Sequence, residues 1–324
     1  MPIQVPKYGD LPIKPDAPAG SAWGVFDKDG KRDVYGTLNF ITPEAVVAAK
    51  SEIQVGESVV LNLPFHLPHV PCGAEIRKKS THNVLTKNFG MFCLDDEVSF
   101  NTQSSSQWDG LLHYAHQERQ EFYNGVKYAD VAETRTDATL GIQAWCDRGG
   151  IVGRGLLLDF VRYAAKHNIT YDPLTNYAIT LTQIKEMIAE AKLDIRQGDI
   201  LMIRSGLSKW IRASTPEKGD PWVGNKHIGV DATPKLIEWV WNQNFAAVAG
   251  DAVAFEACPC PDGSFMRLHQ AALAGWGMPI GELFDLEKLA EVCEREKRWS
   301  FFVTVCPLNV TGGVATMCNT LAIL

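Results

Sequence analysis

The chain has 324 residues, a formal net charge of −7, 46% hydrophobic and 21% charged residues, the proportions of an ordinary globular protein rather than of a disordered or fibrous one. Its basic residues form no run longer than Arg77-Lys78-Lys79, so no nucleic-acid partner is expected. No stretch of eighteen apolar residues occurs, and the first twenty residues lack the apolar segment of a secretory leader, so the expectation is a cytoplasmic protein with no membrane partner.

Residues 1–20 carry five prolines and little hydrophobic periodicity, which predicts an extended arm over the surface or against a partner subunit. Residues 21–324 are read as one domain, since no repeat, low-complexity segment or long linker divides them. Thr42-Pro43-Glu44 predicts a helix start, with Thr42 as N-cap and Pro43 in the first helical position, running to about Lys50. Ser58 to Leu63 reads as a strand, and the segment onward to Glu97 as loops with short strands.

Farther on, Ile184, Met187, Ile188 and Ala191 recur at helical spacing, and Ile200 to Ile203 form the short apolar run of a buried strand. A second Thr-Pro start, Thr233-Pro234, opens a helix that ends before the apolar run 245–249. Asp285 is expected to cap a helix carrying Leu286, Leu289, Ala290 and Cys293, and Phe301 to Val305 to form a strand. Helices and strands interleave, so the fold class is α/β, mixed. Eight cysteines are scattered over a chain too long to need a disulfide framework, so reduced thiols are expected. Cys258-Pro259-Cys260 has neither redox nor zinc-knuckle spacing.

The densest polar segment runs from Asn101 to His116. On an extended strand Gln107 and Asp109 point to one side, because side chains alternate, and their oxygens could meet one cation. A polar surface loop is the plainer reading of the same residue types. Ser104 to Ser106 lie near His113 but lack the nucleophile elbow of a serine hydrolase. The glycines from Gly149 to Gly155 lack the order of a phosphate-binding loop. Trp108, Tyr114 and Trp276 could wall a planar substrate or simply fill the core.

Spacing adds a resemblance. Gln103, Gln107, Asp109 and His113 fall where the cyclase family, which includes kynurenine formamidases and isatin hydrolases, has the signature H-x-G-T-H-x-D-x-P-x-H. Ser105-Ser106 stand at its Gly-Thr and Leu111 at its Pro. Further blocks resemble the family in order: Ile151 to Asp159, Gly198 to Gly206, Leu268-His269-Gln270 with Gly277 to Glu282, and Pro307-Leu308-Asn309 with Thr311-Gly312-Gly313. The resemblance spans from about Trp23 to the C-terminus.

That resemblance implies a swivelling β/β/α fold, a homodimer or homotetramer, and hydrolysis of a small amide or lactone at a divalent metal. Carried over by position, Gln103, Gln107 and Asp109 would be metal ligands, His113 the acid/base, and His269 and Glu282 would complete the site. Here both signature histidines are glutamines, so Gln103 and Gln107, with Trp108 and Tyr114, are equally candidates to touch substrate. A carboxamide oxygen is a hard, neutral donor, matched to manganese or magnesium and poorly to zinc. Without any metal, Asp109, His113, His269 and Glu282 would still form a proton-moving set. Three classes therefore stand: a metal-assisted hydrolase, a metal-independent cyclase, dehydratase or isomerase of secondary metabolism, and a non-catalytic ligand binder.

Overall fold

The computed structural model describes residues 2–86, 90–218, 222 and 226–324. In chain order its strands are β1 Ser58–Val60, β2 Thr81–Thr86, β3 Leu94–Ser99, β4 Gln107–Asp109, β5 Ile151–Asp159, β6 Ala178–Ile179, β7 Ile200–Arg204, β8 Gly229–Val230, β9 Ala247–Gly250, β10 Ile280–Glu282, β11 Ser300–Val305, β12 Ala315–Met317 and β13 Thr320–Ile323. Nine of them form one mixed sheet in the order β1-β13-β11-β5-β7-β9-β10-β4-β12. Its centre, β5-β7-β9-β10, is parallel, and the flanking pairs are antiparallel.

The sheet must curl. Strands β13 and β12 stand seven places apart in it, roughly 34 Å across a flat sheet at the usual strand spacing. Only Cys318 and Asn319 separate them in sequence, a link that spans no more than about 11 Å when extended. The two edges therefore approach one another. Leu61, beyond β1, donates its N–H to Thr320, and Cys318 donates to Ser106 just before β4.

Alternation along the central strands gives the sheet two apolar faces. Leu156, Leu158, Leu201 and Ile203 join one core with the helices Phe160–Lys166, Leu181–Glu190 and Pro234–Asn242. Leu157, Ile200 and Met202 join the other, with Leu289, Ala290, Val292 and Cys293 of the helix Glu287–Glu296. The result is a mixed α/β single domain around a curled sheet, the fold class read from the sequence.

Local signals hold at two of the three helix starts read from the sequence. Thr42 accepts the N–H of Ala45 and opens Pro43–Ala49, and Thr233 accepts that of Leu236 and opens Pro234–Asn242. The expected cap at Asp285 is corrected. The last helix begins at Glu287 behind Leu286, which makes no side-chain cap, and the Asp285 carboxylate pairs with Arg212 instead. The expected strand 58–63 is three residues long, because Leu61 leaves the β1 pairing to bond Thr320 and Asp285 by its backbone. The segment up to Glu97 contains the hairpin β2–β3, with residues 87–89 outside those described.

Residues 2–20 lie along their own chain. Ile3 exchanges two hydrogen bonds with the Gln197 side chain, Pro6 accepts from the Trp241 indole and Tyr8 donates its N–H to Asn242. Among the described residues no helix is long and apolar enough to cross a membrane.

Candidate active site

The polar segment enters the sheet as β4, flanked by β10 and β12. Alternation sends Gln107 and Asp109 to one face and Trp108 to the other. Register places Glu282 directly opposite Gln107, so their side chains share that face. Gly281 stands opposite Trp108, and a Cβ there would come within 2.7 Å of Ala249 and 2.8 Å of the Phe284 ring. Only glycine lets β10 lie this close. His269 arrives from a separate element, the short helical turn Arg267–His269 that runs into a π-helix over Gln270–Trp276, a helix form often found at functional sites.

These elements bring Gln103, Gln107, Asp109, His269 and Glu282 into one buried cluster with His113 at its edge. Gln103 donates its Nε2 to Asp109 Oδ1. Gln107 donates its Nε2 to Gln103 Oε1 at 3.2 Å and to Glu282 Oε2 at 2.7 Å. The two carboxamides thus connect the two carboxylates, turning N–H groups towards both. The reverse orientation would set amide oxygens against carboxylate oxygens.

His269 Nε2 lies 3.0 Å from Glu282 Oε1 and 3.8 Å from Asp109 Oδ2, and its Nδ1 is 2.8 Å from Glu256 Oε1. His113 Nε2 lies 3.9 Å from the same Asp109 Oδ2. That oxygen and Gln107 Oε1 are buried with no hydrogen-bond partner among the described residues.

Burial works against charge on His269, but the hydrogen bonds to Glu256 and Glu282 outweigh it and hold its pKa up at about 10. Burial, with the nearby Asp109 charge adding to it, pushes the Glu282 carboxyl up. Burial pulls the His113 pKa down, against the attraction of Asp109. The cluster therefore holds three carboxyl side chains, Asp109, Glu256 and Glu282, around one imidazolium.

Tyr114 presents its ring edge to His269, with centroids 5.8 Å apart. Together with His113, Phe122 and Tyr128 it lines an open cavity of about 580 Å³ beside the cluster, a volume suited to one small molecule. One expected wall residue, Trp108, is corrected, and Trp276 takes the core place that was its alternative. Trp108 is fully buried on the far face of β4, edge-on to Phe284 and bonded to Thr320. Trp276 is packed in the core against Tyr8 and Trp241 and bonded to Gly20. The serines of 104–106 spend their hydroxyls on backbone carbonyls of Asn101, Leu67 and Leu283.

The metal-ligand set read by position is also revised. Among the described His, Cys, Asp and Glu side chains, those whose ligand atoms converge within 4.8 Å of one another are Asp109, His269 and Glu282, whereas Gln103 and Gln107 turn amide N–H groups to the carboxylates. In chemistry this donor set fits a hard divalent cation through its carboxylates and leaves zinc with a single nitrogen ligand. Glu256 was not legible beforehand. It lies thirteen residues before His269, and its only local signal is a carboxylate within the apolar run from Phe245 to Ala257.

The fold and this buried polar cluster point to a small-molecule enzyme. The Cyclase family model matches residues 60–257, and the chain belongs to that family. The segment from Gln103 to His113 lies inside the match, whereas His269 and Glu282 lie beyond it and join the site through the fold. A crystal structure described as a novel cyclase is similar over 94% of this chain and 99% of its own, at 29% identity and a TM-score of 0.80. Isatin hydrolase A from Labrenzia aggregata, bound to benzyl benzoate, is similar over 86% of this chain and 97% of its own, at 12% identity and a TM-score of 0.59. An isatin hydrolase bound to the product analogue thioisatinate is similar over 88% and 99%, at 14% identity and 0.57. These last two likenesses are of fold. No curated protein matches the sequence.

Proposed function

We propose that this chain hydrolyses a small amide or lactone, or closes one in the reverse direction, with Asp109, His113, His269 and Glu282 moving the protons. The observation that carries this reading is the Asp109 Oδ2 atom, buried and unpartnered, 3.8 Å from one imidazole nitrogen and 3.9 Å from another. Both distances exceed a hydrogen bond, and both fit a single oxygen of water or substrate touching all three groups. Such an oxygen would meet an acceptor carboxylate and an imidazole kept neutral by burial, the conditions for general-base attack on a carbonyl. The His269–Glu282 pair then stands ready to return a proton to the leaving nitrogen or oxygen. Family membership supports a small-molecule hydrolase or cyclase, and the isatin hydrolases of like fold make ring amides the first substrates to try.

In this reading Gln103 and Gln107 are carboxamide replacements for two metal-binding histidines. They tie the carboxylates together by hydrogen bonds. A second reading is favoured by the surplus of buried carboxyl groups: manganese or magnesium held by Asp109, His269 and Glu282, which when bound would supply Lewis acidity towards the carbonyl.

The deciding experiment is turnover of a panel of aryl formamides, ring amides and lactones, in chelator and with added manganese, magnesium or zinc. Turnover that persists in chelator and disappears in His113→Ala is the expected result. Turnover that needs one manganese or magnesium per chain and is lost with Asp109→Ala would select the second reading. Full activity in His113→Ala would overturn the site assignment. Introducing Gln103→His together with Gln107→His should raise zinc affinity, and no change would contradict the replacement reading.

A further inference from the structure

We infer that Glu256 is the positioning residue of the site, fixing the ring plane of His269 and the proton on its Nδ1 so that Nε2 faces Glu282 and Asp109. The inference rests on the reading that His269 belongs to the reacting centre.

Glu256 is fully buried, and both of its oxygens are engaged. Oε1 accepts the backbone N–H of His269 at 2.8 Å and lies 2.8 Å from Nδ1 of the same residue. Oε2 accepts the N–H of Leu268 at 2.9 Å and is approached by the Cys260 thiol at 3.9 Å. A carboxylate oxygen already accepting an N–H makes Nδ1 the protonated nitrogen, which leaves Nε2 as the atom turned to the site. Main chain and ring of one residue are held by the same oxygen, so neither the torsions of His269 nor the proton on Nδ1 can change without breaking that contact.

The helical turn carrying His269 supports this. It starts after Met266, whose φ is 51° and which gives no side-chain cap. The N–H groups at such a start need acceptors, and Glu256 supplies them from another part of the chain. Glu256 is itself braced: Ala257 donates to Val230 in β8, and a Cβ on neighbouring Gly229 would lie 2.2 Å from the Glu256 carbonyl carbon. Pairing and close packing against β8 thus set where the carboxylate stands.

A merely structural cap would make the same backbone bonds, so the test must report on the ring. In the full chain with 15N-labelled histidines, and with His269 assigned from the spectrum of His269→Gln, long-range 15N–1H correlation should show a protected proton on Nδ1. Glu256→Gln keeps one acceptor for the backbone and removes the charge. It should weaken or lose that proton and lower kcat on the order of 10- to 100-fold with KM little changed, and Glu256→Asp should partly restore both. An unprotonated Nδ1 in the wild type overturns the inference without any variant. Unaltered ring signals in a folded Glu256→Gln protein overturn it equally. The ring signals need no substrate, so the expected spectra without turnover of any amide or lactone would sink the proposed reaction and leave Glu256 in its role.

Discussion

Two groups of buried charge in this molecule are built on opposite plans. Beside the interior strands β5 and β11, Arg154 pairs with Glu52 at 2.9 Å and with Asp199 at 3.1 Å, and Arg298 and Ser300 engage the other Glu52 oxygen at 3.1 and 2.7 Å. In that group every carboxylate has a guanidinium. In the β4–β10 cluster Asp109 and Glu282 share one imidazole and two carboxamides, and one carboxylate oxygen is left without a partner. A fully paired network holds structure, whereas a cluster short of positive charge keeps groups whose protonation can change.

Three substitutions would break or sharpen this contrast. The largest effect is expected of Asp109→Asn, which should cut turnover by about 10²- to 10⁴-fold, the usual share of a general acid or base. Thermal unfolding should show an unchanged or higher midpoint, because an incompletely paired buried carboxylate has been removed. A marked loss of stability would mean that Asp109 is structural after all. Arg154→Ala should do the opposite, lowering stability by about 3–5 kcal/mol in a denaturant titration by taking the guanidinium from buried Asp199, while Glu52 keeps Arg298, with kcat/KM retained in the folded fraction. Equal loss of both would erase the distinction.

His227 offers an intermediate case: buried, without a partner on Nδ1 among the described residues, and pulled down by burial to a pKa of about 4. A histidine whose folded pKa is depressed contributes stability that is complete above its unfolded value near 6.5 and is lost as pH falls towards 4. The loss should total about 3 kcal/mol. Chemical denaturation at several pH values should show this acid limb in the wild type and a flatter one in His227→Gln. Identical limbs in both proteins would place the acid sensitivity elsewhere.

Much of the fold could be read locally. Thr42 and Thr233 announce their helices through side-chain caps, and the run 200–203 is the strand it promises, because these signals need only near neighbours. Asp285 misleads for the same reason: Arg212, far away in sequence, competes for its carboxylate. Trp108 shows that an aromatic residue beside polar ones says nothing of which face it occupies. For Trp108 the strand alternation that sends Asp109 inward to the site sends the indole to the core.

The sequence by itself determined the mixed α/β class and marked Gln103 to His113, His269 and Glu282 as candidates that the fold brings together, since motif order and spacing survive in one dimension. Tertiary structure alone decided that the glutamines donate rather than accept, that Asp109 converges with His269 and Glu282, and that Glu256 stands behind the histidine. Each of those facts depends on strand register and on a curled sheet whose edges meet, and register between distant segments is set by packing that no local pattern encodes.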